Sequence, residues 1–467
     1  MLKKIAASLL IFSSAFYISC ATVDYRTVMK APEEKFYRGE YLEAAKMLLP
    51  EVNKPGKDQL LFMMECGYIL HAGADYQKSN TVLLPAAKEA KVVPISISQQ
   101  VAGLLTNQTA TNYRGEDFEK VLIHMFLGIN FLKLKDYDSA RVEFKAVNDE
   151  LAKVKEETGA AKYKQNLMAK YLTAVSYEII GDANNDKNDL EFAYIEYKQI
   201  HQLSPGLATV QTDLQRLAKK LNYMDEYQDW IGKFGKKDFM ADDSGEFILI
   251  FQAGKTPIKA TRGKLLDDHT MKTGIMIALN TASLAVGVTA TAVLATMRVA
   301  ENPIPKFLRR GSQTAAVRIS YAGGIQQTVI LEDIENTVIR NFDDQYPELS
   351  KKVAASIVTK AIVSVAAGVA GQQITKAAGG GKALSALIGF AAGLGTGAAL
   401  FSTMRPDLRC WHTLPGNLQF GRVFLRPGKY DITLEYIGMG GNVMSSTTFP
   451  VEIKKGEKIF HNIRTLH

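Results

Sequence analysis

Few residues of this chain are spaced to do covalent or metal chemistry. Its seven histidines, His71, His124, His201, His269, His412, His461 and His467, show no spacing suited to metal ligation. No serine sits in a Gly-x-Ser-x-Gly turn. Gly379-Gly380-Gly381-Lys382 has the composition of a phosphate loop, but the rest of that motif is missing and no strand precedes it. It reads as a turn between helices. Asp182 to Asn188 offers oxygen ligands at alternate positions, as a calcium loop would. It lacks the turn glycine, and its twelfth position is Ala193 rather than a bidentate glutamate, so a solvated inter-helix loop is expected. Trp411 and His412 could contribute to a site, yet a tryptophan covering the base of a β-sandwich is the plainer reading. The expectation is a non-enzyme with no cofactor and no metal.

The residue whose chemistry is readable is Cys20. Lys3 and Lys4 open a charged head, Ile5 to Phe16 form an apolar run broken only by serines, and Tyr17-Ile18-Ser19-Cys20 ends it. A basic head and an apolar segment of roughly 7–15 residues describe a secretory signal over residues 1–19 rather than a membrane span. Ile18-Ser19-Cys20 resembles the lipobox of bacterial lipoproteins, with Tyr17 where leucine is usual. That resemblance implies a lipidated Cys20 carrying acyl chains such as palmitate. Ala21 in place of aspartate implies sorting to the outer membrane, on its periplasmic side. Cys66 and Cys410 read as thiols packed in cores, and the sequence alone does not say whether they pair.

The elements that carry these residues fall into two halves. At 467 residues the chain has room for several domains at ~150 residues each. Hydrophobic residues at 47% and charged residues at 22% are those of a globular protein. The net charge of +8 looks spread along the chain, so no nucleic-acid footprint is expected.

Residues 20–238 read as a helical repeat domain. Small residues where two helices cross, with large apolar ones around them, recur at Gly128, Tyr137, Ala140 and Phe144 and again at Gly67, Tyr76, Ser79 and Leu83. Gly39, Tyr41, Ala44 and Leu48 form another copy, and Ala174, Tyr177, Ala193 and Tyr197 a fourth. This pattern resembles the tetratricopeptide repeat, with a period of ~34 residues stretched by loop insertions. A helix from Leu207 to Leu221 is expected to close the array, followed by a polar linker.

Beyond Glu246 the period becomes that of strands. Residues 244–345 read as a strand-rich region with an inserted apolar helix over 271–298, and 405–467 as a C-terminal β region. Residues 346–404 read as an Ala/Gly-rich helical hairpin, in which Gly389, Gly393 and Gly397 line one face as a glycine zipper. One helix is expected over Leu331–Phe342 and a second from Pro347. The fold class is α+β, a tetratricopeptide-like α-solenoid followed by an antiparallel β-sandwich-like domain that the hairpin interrupts.

The C-terminal half resembles an uncharacterised bacterial envelope lipoprotein family with N-terminal tetratricopeptide repeats. Gly245-Glu246-Phe247 through Ile258, Asn302-Pro303-Ile304-Pro305, Asp333-Ile334-Glu335-Asn336 and Arg405 through Pro415 carry the likeness. It implies a lipid-anchored scaffold or assembly factor that offers a concave groove to a protein or peptide in the periplasm. A link to cell-wall synthesis follows by analogy only. The rival expectation is a membrane-inserting oligomeric channel or export component built on the hairpin. The partners expected are thus a protein and a membrane, with no nucleic acid and a homo-oligomer left open.

Overall fold

The computed structural model describes residues 24–90, 111–158, 166–237, 239, 244–282, 284, 288–377, 401–402 and 404–466. Cys20 and the zipper glycines Gly389, Gly393 and Gly397 lie outside the described residues, as does Gly379 to Lys382.

Among the described residues ten helices pair in sequence order. They are α1 (Tyr25–Tyr37) with α2 (Tyr41–Val52), α3 (Gln59–Ala72) with α4 (Tyr76–Glu89), and α5 (Asp117–Lys133) with α6 (Tyr137–Thr158). Then come α7 (Leu167–Asn184) with α8 (Lys187–Leu203), and α9 (Ala208–Lys220) with α10 (Met224–Phe234). Every pair turns by the same device. The N–H groups of Glu40, Asp75, Asp136, Asp186 and Tyr223 donate to the carbonyls of Lys35, Leu70, Phe131, Gly181 and Ala218, each five residues back. The residue before each donor, Gly39, Ala74, Lys135, Asn185 or Asn222, has positive φ. A left-handed residue closing a helix with that bond satisfies the last orphan carbonyls. The array therefore has five pairs where the sequence showed four. The fifth, made by α9 and α10, has no small residue at its crossing to give it away.

The pairs cross closely where glycine permits. A Cβ built on Gly67 would lie 2.4 Å from Cδ2 of Leu83, and one on Gly128 2.4 Å from Cε1 of Phe144. The first helices are buried far beyond one stripe: α3 from Met64 to His71 and α7 from Met168 to Glu178, without a break. A helix buried all round has neighbours on both sides. One neighbour is its own second helix, and the other is a β-sheet.

That sheet has the order β10-β1-β7-β6, and a second has β5-β4-β8-β9. The strands of the first are β1 (Gly245–Ala253), β6 (Val329–Glu332), β7 (Asn417–Leu425) and β10 (Lys458–Arg464). Those of the second are β4 (Thr314–Tyr321), β5 (Gly324–Gln327), β8 (Gly428–Gly438) and β9 (Val443–Ile453). A small ribbon joins β2 (Ile258–Ala260) to β3 (Lys306–Leu308). The strands pair antiparallel except β1 with β10, which run parallel because the chain crosses from one sheet to the other after β9. Alternation along β1 explains its unbroken apolar run. Phe247, Leu249 and Phe251 face the second sheet, with Val317, Ile319, Val423, Ile432 and Leu434. Ile248 and Ile250 face the helical array, in one core with Trp411, Leu418 and Phe420. Burying such side chains contributes roughly 1.5–3 kcal/mol each.

A third core joins α11 (His269–Thr281), α12 (Ala290–Met297) and α13 (Ile334–Ala377), with Phe401 and Met404 packed on it. Two expectations are corrected here. The apolar helix expected over 271–298 is two helices, because Ala282 turns extended and Thr289 starts a new one by accepting the N–H of Ala292. The helices expected over 331–342 and from Pro347 are one, capped by Asp333, whose carboxylate accepts the N–H of Asn336 at 3.0 Å. Pro347 lies inside it, where a missing N–H costs one hydrogen bond but packing holds the helix. No described helix is long and apolar enough to cross a membrane.

The charge is not spread either. Residues 269–300 and 349–406 hold Lys272, Arg298, Lys351, Lys352, Lys360, Lys376, Lys382 and Arg405 and not one Asp or Glu. Of 56 basic and 48 acidic residues, this leaves 48 of each elsewhere. No basic run betrays the asymmetry, since what is missing is the acids.

Candidate functional site

The inner face of the array is where its buried polar side chains converge, and they close on the chain itself. Residues 405–416, without regular secondary structure, lie between the third core and β7. Trp411 enters the array edge-on to Tyr68 and Phe126, with ring centroids at 6.1 Å and 6.2 Å. It packs in the core of the array rather than at the base of the sandwich, because its neighbours Cys410, His412 and Thr413 are held by helix side chains.

Two carboxylates hold this segment by its backbone. Glu65 of α3 accepts the N–H of His412 at 2.6 Å, the N–H of Thr413 at 3.2 Å and the Tyr25 hydroxyl at 2.7 Å. Glu119 of α5 accepts the N–H of Trp411 at 2.6 Å and that of Glu116 at 2.8 Å. Burial, reinforced by the nearby Glu116, pushes the Glu119 carboxyl up to about 7, and burial also raises Glu65. At the mouth, Arg409 pairs with Asp58 at 2.6 Å and Asp407 at 2.7 Å. Arg310 donates to the Tyr37 hydroxyl at 2.6 Å and to the carbonyl of His412. Burial disfavours charge on His412, yet Cys410 and the carboxylates of Glu33 and Glu65 outweigh it and raise its pKa.

A second cluster fastens the sheet to α7 and α9. Arg422 of β7 meets Glu246 at 2.7 Å, Asp213 at 3.0 Å and Glu178 at 3.2 Å, and donates to the Tyr197 hydroxyl at 2.9 Å. Arg216 meets Glu178 at 2.7 Å and Asp213 at 3.3 Å, while Lys458 of β10 meets Glu246 at 3.0 Å. Three cations thus face three carboxylates. Burial alone would raise Glu178, but Arg216, Arg422 and Lys458 hold it well below the usual carboxylate range. Burial raises Asp213.

Between the two clusters runs a neutral chain of hydrogen bonds. His71 Nδ1 meets Asn130 Oδ1 at 2.6 Å and its Nε2 meets Gln252 Nε2 at 2.7 Å, which assigns the proton to Nδ1. Gln252 also donates to Asn462 at 2.8 Å and accepts from Tyr68 at 2.7 Å. Burial pushes His71 down to about 4, so it is neutral near pH 7.

The residues singled out from sequence border these clusters. Gly67 and Gly128 sit at helix crossings, with Ala140 and Phe144 fully buried beside them. Tyr76 meets the His71 ring edge-on at 5.7 Å, and Tyr137 packs half-buried on the array core. Ala193 and Tyr197 are fully buried too, but three residues farther from their turn than Ala140 and Phe144 are. Asp182 pairs with Lys220, and Asp186 caps α8. Among the described residues no group of His, Cys, Asp and Glu could hold a metal. Cys66 and Cys410 are buried free thiols. Glu65, Glu119, Glu178, Asp213, Arg409 and Arg422 were not foreseen. Their signal was a lone charge inside an apolar run, as in Met63-Met64-Glu65-Cys66 and Phe420-Gly421-Arg422-Val423. Chemically, this face is a clamp for an extended backbone, and it is occupied by residues 407–414.

No family model matches the chain, and no curated protein matches it. Two solved structures of nearly identical TPR-like repeats from Podosopora anserina, described as a kinesin light chain, are similar to it. One is a single-residue variant at 12% identity and TM-score 0.29, covering 44% of this chain and 91% of that one. The other is at 13% identity and TM-score 0.29, covering 44% and 92%. So loose a likeness carries no argument; the five shared turns establish the repeat.

Proposed function

We propose that the protein is a non-catalytic scaffold of the bacterial envelope, anchored through an acylated Cys20 and facing the periplasm from the outer membrane. Its partner is a protein or peptide, and cell-wall synthesis is the process suggested by analogy with other repeat-bearing lipoproteins. Stacked helix pairs make extended binding surfaces because each repeat adds a small rotation. The observation that carries this reading is the filled inner face. With residues 407–414 seated there, the surface left to a partner is the outer one. Its second helices expose Met47, Val142, Phe192 and Ile195. This revises the expectation of an open concave groove.

Photo-crosslinking in intact cells tests it. A photoreactive residue at Met47 or at Ile195 should capture the same protein, and one at Trp411 should yield only crosslinks within the chain. Capture from Trp411 alone would overturn the outer-face reading. Metabolic palmitate labelling that persists in Cys20→Ala would remove the anchor.

A further inference from the structure

Two helices of the third core bring a group of lysines next to an uncharged, partly exposed apolar stretch. Helices α11 and α13 run parallel. Tyr346, inside α13, lies beside Asp268 at the start of α11, and a Cβ on Gly274 would lie 3.1 Å from that of Ala354 further along both helices. The two helices therefore run in the same direction, and α13 continues past the end of α11. At the level of the first turn of α11 stand Lys272, Lys351 and Lys352, with Lys360 further along α13. Lys351 and Lys352 share the exposed carboxylate of Glu348, at 3.9 Å and 3.4 Å, while the exposed Asp343 and Asp344 lie further back toward the start of α13. Beyond the lysines the charges stop. No charged residue occurs from 273 to 297 or from 361 to 375. Apolar side chains nevertheless face outward there: Met276 is 41% exposed, Ile277 54% and Val363 64%.

A surface made only for water mixes both signs of charge and avoids contiguous apolar exposure. A group of lysines beside an apolar stretch suits a bilayer interface, where ammonium groups meet anionic headgroups and the apolar side chains reach the acyl boundary. Lysine stems reach along apolar surface while their charges stay wet. A nucleic acid would use the lysines but gain nothing from Met276, Ile277 and Val363. Spanning is excluded for α11, since 13 residues at 1.5 Å each fall well short of ~30 Å of hydrocarbon.

We propose that the face formed by the C-terminal half of α11 and the stretch of α13 beside it is a peripheral docking surface for an anionic lipid leaflet, with Ile277 and Val363 entering the interface and Lys272, Lys351, Lys352 and Lys360 binding headgroups. It is a second membrane contact that does not depend on acylation of Cys20.

The test uses the full chain in a Cys20→Ala background, with Ile277→Cys carrying an environment-sensitive fluorophore. Val142→Cys, on the outer face of the array, is the reference position. Vesicles containing phosphatidylglycerol should shift the emission at position 277 to the blue and leave position 142 unchanged. Pure phosphatidylcholine vesicles should shift neither. Replacing Lys272, Lys351, Lys352 and Lys360 by Gln should weaken the response at least tenfold, since each cation near such a surface contributes about fivefold. All four sites are outside the cores, and far-UV circular dichroism checks that the variant folds. No shift at 277 with anionic vesicles, or an equal shift with neutral ones, overturns the proposal. So does a shift without lipid on raising protein concentration, which assigns the face to a second copy, or an equal shift with a soluble polyanion.

Discussion

Arg422 on β7 and Glu178 on α7 lie 3.2 Å apart with side chains 2% and 0% exposed, and they fasten the sandwich to the helical array. Neither charge would be tolerated alone in that core. Each is there because the other is, and because Asp213, Glu246, Arg216 and Lys458 complete the balance.

Removing one member should therefore cost far more than a surface pair does. Arg422→Met leaves three buried carboxylates facing two cations, and stability should fall by about 3–5 kcal/mol. A lowered urea midpoint at unchanged slope is the readout. Lys46→Ala, which breaks an exposed pair with Glu43, should leave the midpoint where it is.

Helix crossing is tested at glycine. Gly128→Ala drives a Cβ against the Phe144 ring and should destabilise by about 1–3 kcal/mol through overpacking. Gly206→Ala, with nothing within 4 Å of the new Cβ, should be neutral in the same thermal melts. Equal effects at both sites would contradict the close crossing.

The contribution of His71 to stability should fall on mild acidification, against the opposite contribution of Glu119, whose buried carboxyl gains its proton from about pH 7. The unfolded imidazole takes up its proton as pH drops through about 6.5. The folded one resists until about 4, because burial penalises its charge. Between those values the unfolded imidazole binds more protons than the folded one, so the contribution of His71 declines with falling pH, by about 3 kcal/mol at 1.36 kcal/mol per pKa unit. His461, lowered to about 4 by burial and Lys133, adds in the same direction. Denaturant midpoints measured from pH 7 to pH 4.5 should show a shallower slope for His71→Gln than for the unmodified chain.

The periodicities that announce helices and strands were legible, and so were the α+β architecture and the strand-forming run at Phe247–Phe251. What could not be read was the packing of one half on the other. Glu65 and Arg422 are single charges in apolar surroundings, and their partners lie hundreds of residues away in sequence. The fifth helix pair was hidden because its crossing uses Gln215 rather than glycine at the place of Gly67 and Gly128. The apolar run 271–298 looked like one helix since nothing in its hydropathy marks the cap at Thr289. The charge imbalance escaped notice because it consists of absent acids rather than of a basic run.

The central claim is that the array's inner face is filled by the chain's own residues 407–414. Amide hydrogen exchange tests it most directly, since this segment has no helix or strand to protect it. The N–H groups of Trp411, His412 and Thr413 are held only by the carboxylates of Glu119 and Glu65. The account predicts that these three exchange as slowly as the core amides of α3 and α7. Exchange at the rate of an open loop would show that the segment is not seated there, and the account would fail.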